Sequence, residues 1–236
     1  MVQTINSAPA ERTPSMTVVV VEHPLVADRV AVLREHSTDR QMFRAALADL
    51  ARMLMYEASR DFSTAERTIQ TPLAPAQAHV IELDPCLVPI TRSGLGMLGP
   101  ALELFPRAGV AFIGLKRDET TFQPIPYLNT MPADLAGRRA FVLEPMVATG
   151  GSAAIACQYV AAAGAAHITV ITAIASAEGV EVLQAAPAKP NIFAAAVDPE
   201  LNDAAFIVPG LGDAGDRQFG EYPRASLELP EQELSS

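Results

Sequence analysis

The sequence predicts an α/β fold with a mainly parallel sheet and helices on both faces. Three observations predict it. From Cys86 onward, short apolar runs alternate with segments whose apolar residues recur every three or four positions. Gly, Arg and acidic residues gather in loops just after the apolar runs. Half of the 236 residues are apolar, enough for one substantial core.

The elements follow in order. The β-branched run at 17–21 reads as a strand, and two helical patterns follow at 23–36 and 38–61. In the second, Phe43, Leu47, Leu50, Leu54 and Ala58 mark one buried face. Thr38 is the expected N-cap, with Gln41 completing a capping box, and His23 before Pro24 caps or packs. Next come a strand at 87–91, a helix near 95–104 and a strand at 110–115. The segment 122–128 returns as a hairpin partner to the segment before it, making a protruding β-hairpin arm. Strands at 140–143, 168–174 and 191–196 then alternate with helices at 152–163 and 177–186. Ligands of such sheets sit beyond the strand C-termini.

The domain division is a disordered leader over 1–16, one domain over 17–220 and an acidic flexible tail over 221–236. The leader lacks the basic start and apolar stretch of a secretory signal, and no stretch approaches a membrane span. Cys86 and Cys157 show no metal-ligand spacing, and the four histidines are scattered, which points to a reduced cytoplasmic protein. A net charge of −10 argues against nucleic acid and anionic membranes as partners. An anionic substrate would need a local basic pocket or a metal ion.

Four post-strand loops concentrate the chemistry: "PITRSGLGM", "GLKRDETT", "EPMVATGGS" and "IVPGLGDAGDR". Three contain Arg, whose fork of donors suits phosphate oxygens, and three contain at least two Gly. In the third loop, small residues before a helix start let backbone N–H groups approach an anion. Any one such loop is commonly structural; several at one sheet edge suggest a ligand with more than one phosphate. The sequence has neither a G-x-x-x-x-G-K-[ST] loop nor a G-x-G-x-x-G between a first strand and helix. Neither Ser93 nor Ser152 sits in a G-x-S-x-G elbow.

The acid-Pro-Met-x-Ala-Thr-Gly-Gly-Ser loop at 144–152 resembles the 5-phosphoribosyl-1-diphosphate (PRPP) loop of uracil phosphoribosyltransferases. "HPLV", "YEASRDF", "VPITRSGLGM", "GLKRDETTFQPIPY", "AEGVEVLQ" and "FIVPGLGDAGDRQFG" resemble further family blocks in family order, over about 18–220. The resemblance implies a phosphoribosyltransferase-like fold and transfer of ribose 5-phosphate from PRPP to uracil N1, giving UMP and diphosphate with Mg²⁺ in pyrimidine salvage. It also implies a cytoplasmic homodimer or higher homo-oligomer, with GTP as an open effector question. By motif, Glu144, Pro145, Met146, Val147, Ala148, Thr149, Gly150, Gly151 and Ser152 would hold the ribose and its 5-phosphate. Arg92 and Arg117 would meet the diphosphate, while Ile207, Gly212 and Ala214 would bind uracil through main-chain groups. Asp213 would lie near the ribose, the Mg²⁺ shell or the base, and Arg92 and Asp213 are the catalytic candidates. No protein metal cluster is expected, so Mg²⁺ would bind mainly through PRPP and diphosphate.

The chain departs from the family pattern at several points. Glu144 stands where Asp is usual, Lys116 where Tyr precedes Arg, and Phe206 where Tyr is common. "TRSG" replaces Leu-Arg-Ala-Gly, and Ser176-Ala177 replace Ala-Pro near the base. These departures keep two alternatives open: a diverged paralogue acting on another pyrimidine- or pyridone-like base, and a non-catalytic PRPP or nucleotide sensor.

Overall fold

The computed structural model describes residues 17–117 and 124–221, with Arg117 described in its backbone alone. The expected leader over 1–16 and all but Glu221 of the expected tail lie outside the described residues. The chain opens with β1 (Val18–Val20), α1 (Pro24–Arg34), α2 (Arg40–Ala58), β2 (Thr64–Gln70) and β3 (Pro75–Ile81). It continues through β4 (Cys86–Thr91), α3 (Leu95–Leu104), β5 (Gly109–Val110), β6 (Ile113–Arg117), β7 (Pro124–Asn129) and β8 (Arg139–Leu143). Then follow β9 (Met146–Val147), α4 (Gly151–Ala162), β10 (His167–Ser176), α5 (Ala177–Ala185) and β11 (Asn191–Asp198). The last elements are β12 (Glu200–Leu201), β13 (Ile207–Val208) and α6 (Ala214–Phe219).

The main sheet runs β1-β11-β10-β8-β4-β6-β7. Each strand is parallel to its neighbours except β7, which returns antiparallel along β6. Side-chain alternation splits the core into two layers. Leu87, Phe141, Leu143 and Ile171 face a layer built with α1, α2 and α3, where Leu33, Phe43, Leu47, Leu50 and Met97 are fully buried. Val88, Val142 and Val170, aligned across β4, β8 and β10, face the other layer with α4 and α5. There Ala153, Ala156, Cys157 and Val160 of α4 meet the sheet, which explains the small-residue composition of that helix. Burial pushes the Cys157 thiol up to about 12, so it stays a neutral packing group.

The helix starts follow capping chemistry. His23 Nδ1 accepts from the Leu25 N–H at 3.1 Å, with Pro24 at the first helical position. Asp39, not Thr38, caps α2, its carboxylate accepting from the Met42 N–H at 2.8 Å. A carboxylate at the positive helix end gains from the dipole as well as the hydrogen bond. The Thr38 hydroxyl instead donates to the Val32 carbonyl at 2.7 Å.

Three antiparallel hairpins are present among the described residues, the shortest being β12–β13, which pairs Glu200 with Val208 and Leu201 with Ile207. The one expected at 122–128 is β6–β7, which extends the edge of the main sheet. The third, β2–β3, forms a two-stranded sheet of its own, in register from Thr64↔Ile81 to Gln70↔Pro75. Its residues are mostly exposed, and Leu73 in its turn is 96% exposed, so the segment carries only a weak burial pattern from which to expect strands. No helix among the described residues is long and apolar enough to cross a membrane.

Because the central strands are parallel, β4, β8, β10 and β11 all end on one edge, at Thr91, Leu143, Ser176 and Asp198. The loops that follow these ends build the site.

Candidate active site

The loop after β8 and β9 ends at Gly150, which has φ +77° and directly precedes α4. A Cβ there would lie 2.8 Å from the Gly179 carbonyl oxygen, so both backbone angle and close approach require glycine. No side chain caps α4. The first N–H groups of a helix lack intrahelical partners, and the dipole makes this end positive. Uncapped donors thus lie behind a left-handed glycine, with Thr149 and Ser152 beside them on the cleft wall, an arrangement whose polarity suits an anion.

Ser176, the last residue of β10, braces this loop from behind. Its hydroxyl donates to the Ala148 carbonyl at 2.6 Å and accepts from the Gly179 N–H at 2.8 Å. The side chain is fully buried. At this departure from the family pattern, the Ser176 hydroxyl therefore ties the backbone at Ala148 to the first turn of α5.

The loop after β4 presses against the end of β8. A Cβ on Gly94 would lie 2.3 Å from the Leu143 carbonyl oxygen, and this close approach brings Ser93 to Glu144. The Ser93 hydroxyl donates to Glu144 Oε1 at 2.8 Å. Glu144 is 7% exposed, and burial pushes its carboxyl up to about 7. The Ser93 hydroxyl and the Met146 N–H oppose that rise, while the Asp213 charge adds to it.

Arg92 is paired with Asp216 at 3.0 Å, and its side chain is 58% exposed. Asp213 caps α6, accepting from the Asp216 N–H at 2.9 Å. Thr91 Oγ1 and the Tyr127 hydroxyl lie 2.7 Å apart on the same side of the cleft.

These loops surround one cleft of about 980 Å³, within the upper range of ligand sites. Arg92, Glu144, Met146, Val147, Ala148, Thr149, Gly150, Ser152, Ile207, Gly212 and Asp213 all line it. Pro145 and Gly151 stand back from the wall within the same loop, and Ala214 is fully buried in the α1–α3 layer. The Arg117 side chain lies outside the described residues, while Lys116 does line the cleft. Sequence reasoning did not single out Tyr127 or Asp216 as site residues; it met Phe206 as a departure, and Ser93 as a departure and as a serine outside any G-x-S-x-G elbow. Each lies within or beside a quoted loop, but only the fold shows which of its neighbours it meets. The described cleft sets Arg92 and Lys116 against Glu144, Asp213, Asp216 and Glu221, and the described residues contain no cluster of three or more metal-binding side chains.

The family model described as Uracil phosphoribosyltransferase matches residues 20–221. A protein of Corynebacterium diphtheriae named uracil phosphoribosyltransferase is 49% identical over 205 residues, covering 87% of this chain and 97% of the relative. A Corynebacterium glutamicum protein of the same name is 46% identical with the same coverage. The solved structure of the AQ2163 protein from Aquifex aeolicus superposes with a TM-score of 0.83 at 34% identity, covering 86% of this chain and 98% of that one. With the loops in family order and the cleft assembled from them, the chain belongs to the uracil phosphoribosyltransferase family.

Proposed function

We propose that the protein transfers ribose 5-phosphate from PRPP to N1 of uracil, giving UMP and diphosphate, as a cytoplasmic step of pyrimidine salvage. The observation that carries this reading is one cleft with an uncapped helix N-terminus on one wall and the 207–216 loop on another. A phosphate dianion suits the first, and a planar heterocycle with donor and acceptor edges suits main-chain groups of the second.

The chain's residues divide the work. The 5-phosphate sits at the start of α4, against backbone N–H groups and the hydroxyls of Thr149 and Ser152. Glu144, held by Ser93, accepts from the ribose hydroxyls. Arg92 turns from Asp216 to the diphosphate; an exposed ion pair contributes about 0–1 kcal/mol, so the exchange is easy. Arg117 joins it from β6. Ile207 and Gly212 orient uracil through main-chain groups, which rejects a base lacking the matching hydrogen-bond partners, while Ala214, buried behind the wall, anchors the loop instead of touching the base.

As diphosphate departs with the C1–O electron pair, positive charge develops on the ribose. Glu144 and Asp213 lie in the cleft to favour that charge, while Arg92 favours the leaving group. N1 of the base then bonds to C1 and gives up its proton.

Mg²⁺ fits this cleft. Its carboxylates offer only oxygen donors, and no His or Cys lines it. The ion would be held mainly through diphosphate oxygens, with Asp213 as an available carboxylate, and when bound it offsets leaving-group charge. A homodimer or higher oligomer belongs to the same reading, since a two-stranded hairpin such as β2–β3 is marginal alone and Ile69 and Leu73 on it are exposed.

The test incubates the protein with PRPP, Mg²⁺ and a panel of bases, following diphosphate and nucleotide. Turnover with uracil and none with cytosine or hypoxanthine supports the reading. PRPP binding without turnover of any base would replace it with a sensor role.

A further inference from the structure

The loop that carries the proposed base contacts is tied down from outside the cleft. Arg34, the last residue of α1, forms a two-pronged pair with Asp198, the last residue of β11. Nη1 donates to Oδ2 at 2.7 Å and Nη2 to Oδ1 at 2.6 Å. The same Nη1 donates to the Gly210 carbonyl at 3.0 Å, and Asp198 Oδ2 accepts from the Gly210 N–H at 2.9 Å. Both backbone polar groups of Gly210 therefore end on one ion pair.

Gly210 is the tight point of this loop. Its φ is +61°, and a Cβ there would lie 2.0 Å from the Ile207 carbonyl oxygen. The next residue is tethered as well: Arg217 donates to the Leu211 carbonyl at 3.0 Å. Arg217 also donates to the carbonyls of Leu33 and Glu35 at the end of α1 and lies 4.5 Å over the Phe43 ring. Those carbonyls belong to the helix terminus that lacks intrahelical partners, where a cation is favoured. Two arginines thus fasten 210–211 to the C-terminal end of α1.

Asp198 is buried. Burial resists its ionisation, but the Arg34 hydrogen bonds, the Gly210 N–H and the Arg34 charge together hold its carboxyl below the usual range. Asp198 is therefore ionised at neutral pH. Neither Arg34 nor Asp198 lines the cleft.

We propose that Arg34 and Asp198 are positioning residues for the base, setting the path of the main chain from Ile207 to Gly212 and so the affinity for the pyrimidine. This rests on the reading of 207–216 as the uracil pocket. Main-chain donors have no rotamers with which to adjust, so their placement is the placement of the turn at Gly210. An error near 1 Å can cost on the order of 10²-fold. Among the described residues, the proposed PRPP loops after β4 and β8 share no hydrogen bond with this pair.

The test compares wild type with Arg34→Lys, Arg34→Ala and Asp198→Asn, measuring KM for uracil, KM for PRPP, kcat and amide hydrogen exchange. Lysine keeps the charge without the fork, and asparagine keeps the shape without the charge. The expected result is a rise of roughly ten- to hundredfold in uracil KM with PRPP KM unchanged. Faster exchange is expected across 207–214 and not across 144–152. Should Arg34→Ala fail to fold, the two milder variants still give the comparison. A purely structural role would lower the active fraction and leave both KM values alone; that result, or an equal rise in both, overturns the proposal. The exchange readout is independent of turnover. A wild type inert toward uracil sinks the functional reading, whereas normal uracil use with unchanged KM and exchange in the variants sinks the clamp.

Discussion

The Ser93 hydroxyl donates to Glu144 Oε1 across 2.8 Å, joining the loop after β4 to the loop after β8. It is the side-chain bond that steadies a buried carboxyl on the cleft wall, and the charge of that carboxyl is open to pH because burial pushes it up to about 7. Ribose hydroxyls are donors and favour the ionised form. We expect kcat/KM for PRPP to rise through about pH 7, since this ratio reports groups of the free enzyme. Ser93→Ala removes a contact that favours the charged form and moves the rise to higher pH; Glu144→Gln abolishes it. The stability of the unliganded protein has the opposite sign. The folded carboxyl binds its proton more tightly than the unfolded one, so its contribution is complete below about pH 4.3 and is lost as pH rises through about 7. Melting curves at several pH values should show that loss in wild type and not in Glu144→Gln. A flat profile for both quantities contradicts the assignment.

Arg92 gives a second prediction. Its pair with Asp216 is exposed and contributes little to folding, so Arg92→Ala should leave Tm nearly unchanged. Loss of a charged hydrogen bond to the diphosphate should cost about 1.5–3 kcal/mol in PRPP use. Steady-state kinetics with PRPP varied check this, and wild-type values would remove Arg92 from the diphosphate site.

The alternation of strands and helices was legible in the sequence because burial imposes a period on each element. The face of α2 marked by Phe43, Leu47, Leu50 and Leu54 is the face fully buried in the structure. The tight turn into α4 was legible because Gly150 and Gly151 sit between a strand and a helix start, and Gly150 does take a left-handed φ against the Gly179 carbonyl. The β2–β3 hairpin was not, because none of its strand residues is fully buried and the alternation along β3 is weak. Ser93 and Glu144 are 51 residues apart, and Arg34 and Asp198 are 164 apart, so neither pair leaves a local trace. Asp39 and Thr38 are both good caps by type, and only the position of the first helical turn separates them.

Metal removal gives a third prediction. Arg92 and Lys116 share the described cleft with Glu144, Asp213, Asp216 and Glu221, in a chain of net charge −10. Bound diphosphate would be under-neutralised by side chains alone. Excess chelator should abolish turnover, and added Mg²⁺ should restore it. Because the ion would enter with PRPP, the chelator should leave Tm of the unliganded protein unchanged. Full activity in chelator would mean that the cleft neutralises diphosphate by side chains alone.

The last prediction concerns the length of the acid at 144. The resembling family motif carries Asp there, whereas here Glu144 Oε1 reaches Ser93, whose neighbour Gly94 lies against the end of β8. Glu144→Asp withdraws the carboxylate by one bond, about 1.5 Å. The Ser93 hydroxyl then loses its acceptor, and the acid draws back from the ribose. Displacements of this size can cost on the order of 10²-fold in rate, so kcat/KM for PRPP should fall clearly. Since the two residues are in contact, Ser93→Ala and Glu144→Asp should be non-additive, the double variant losing less than the single losses predict. Additive losses would mean that Ser93 does not act through Glu144. A gain in uracil-dependent turnover for Glu144→Asp would mean instead that the longer acid blocks the ribose site, and it would favour another substrate or a sensing role for the native chain.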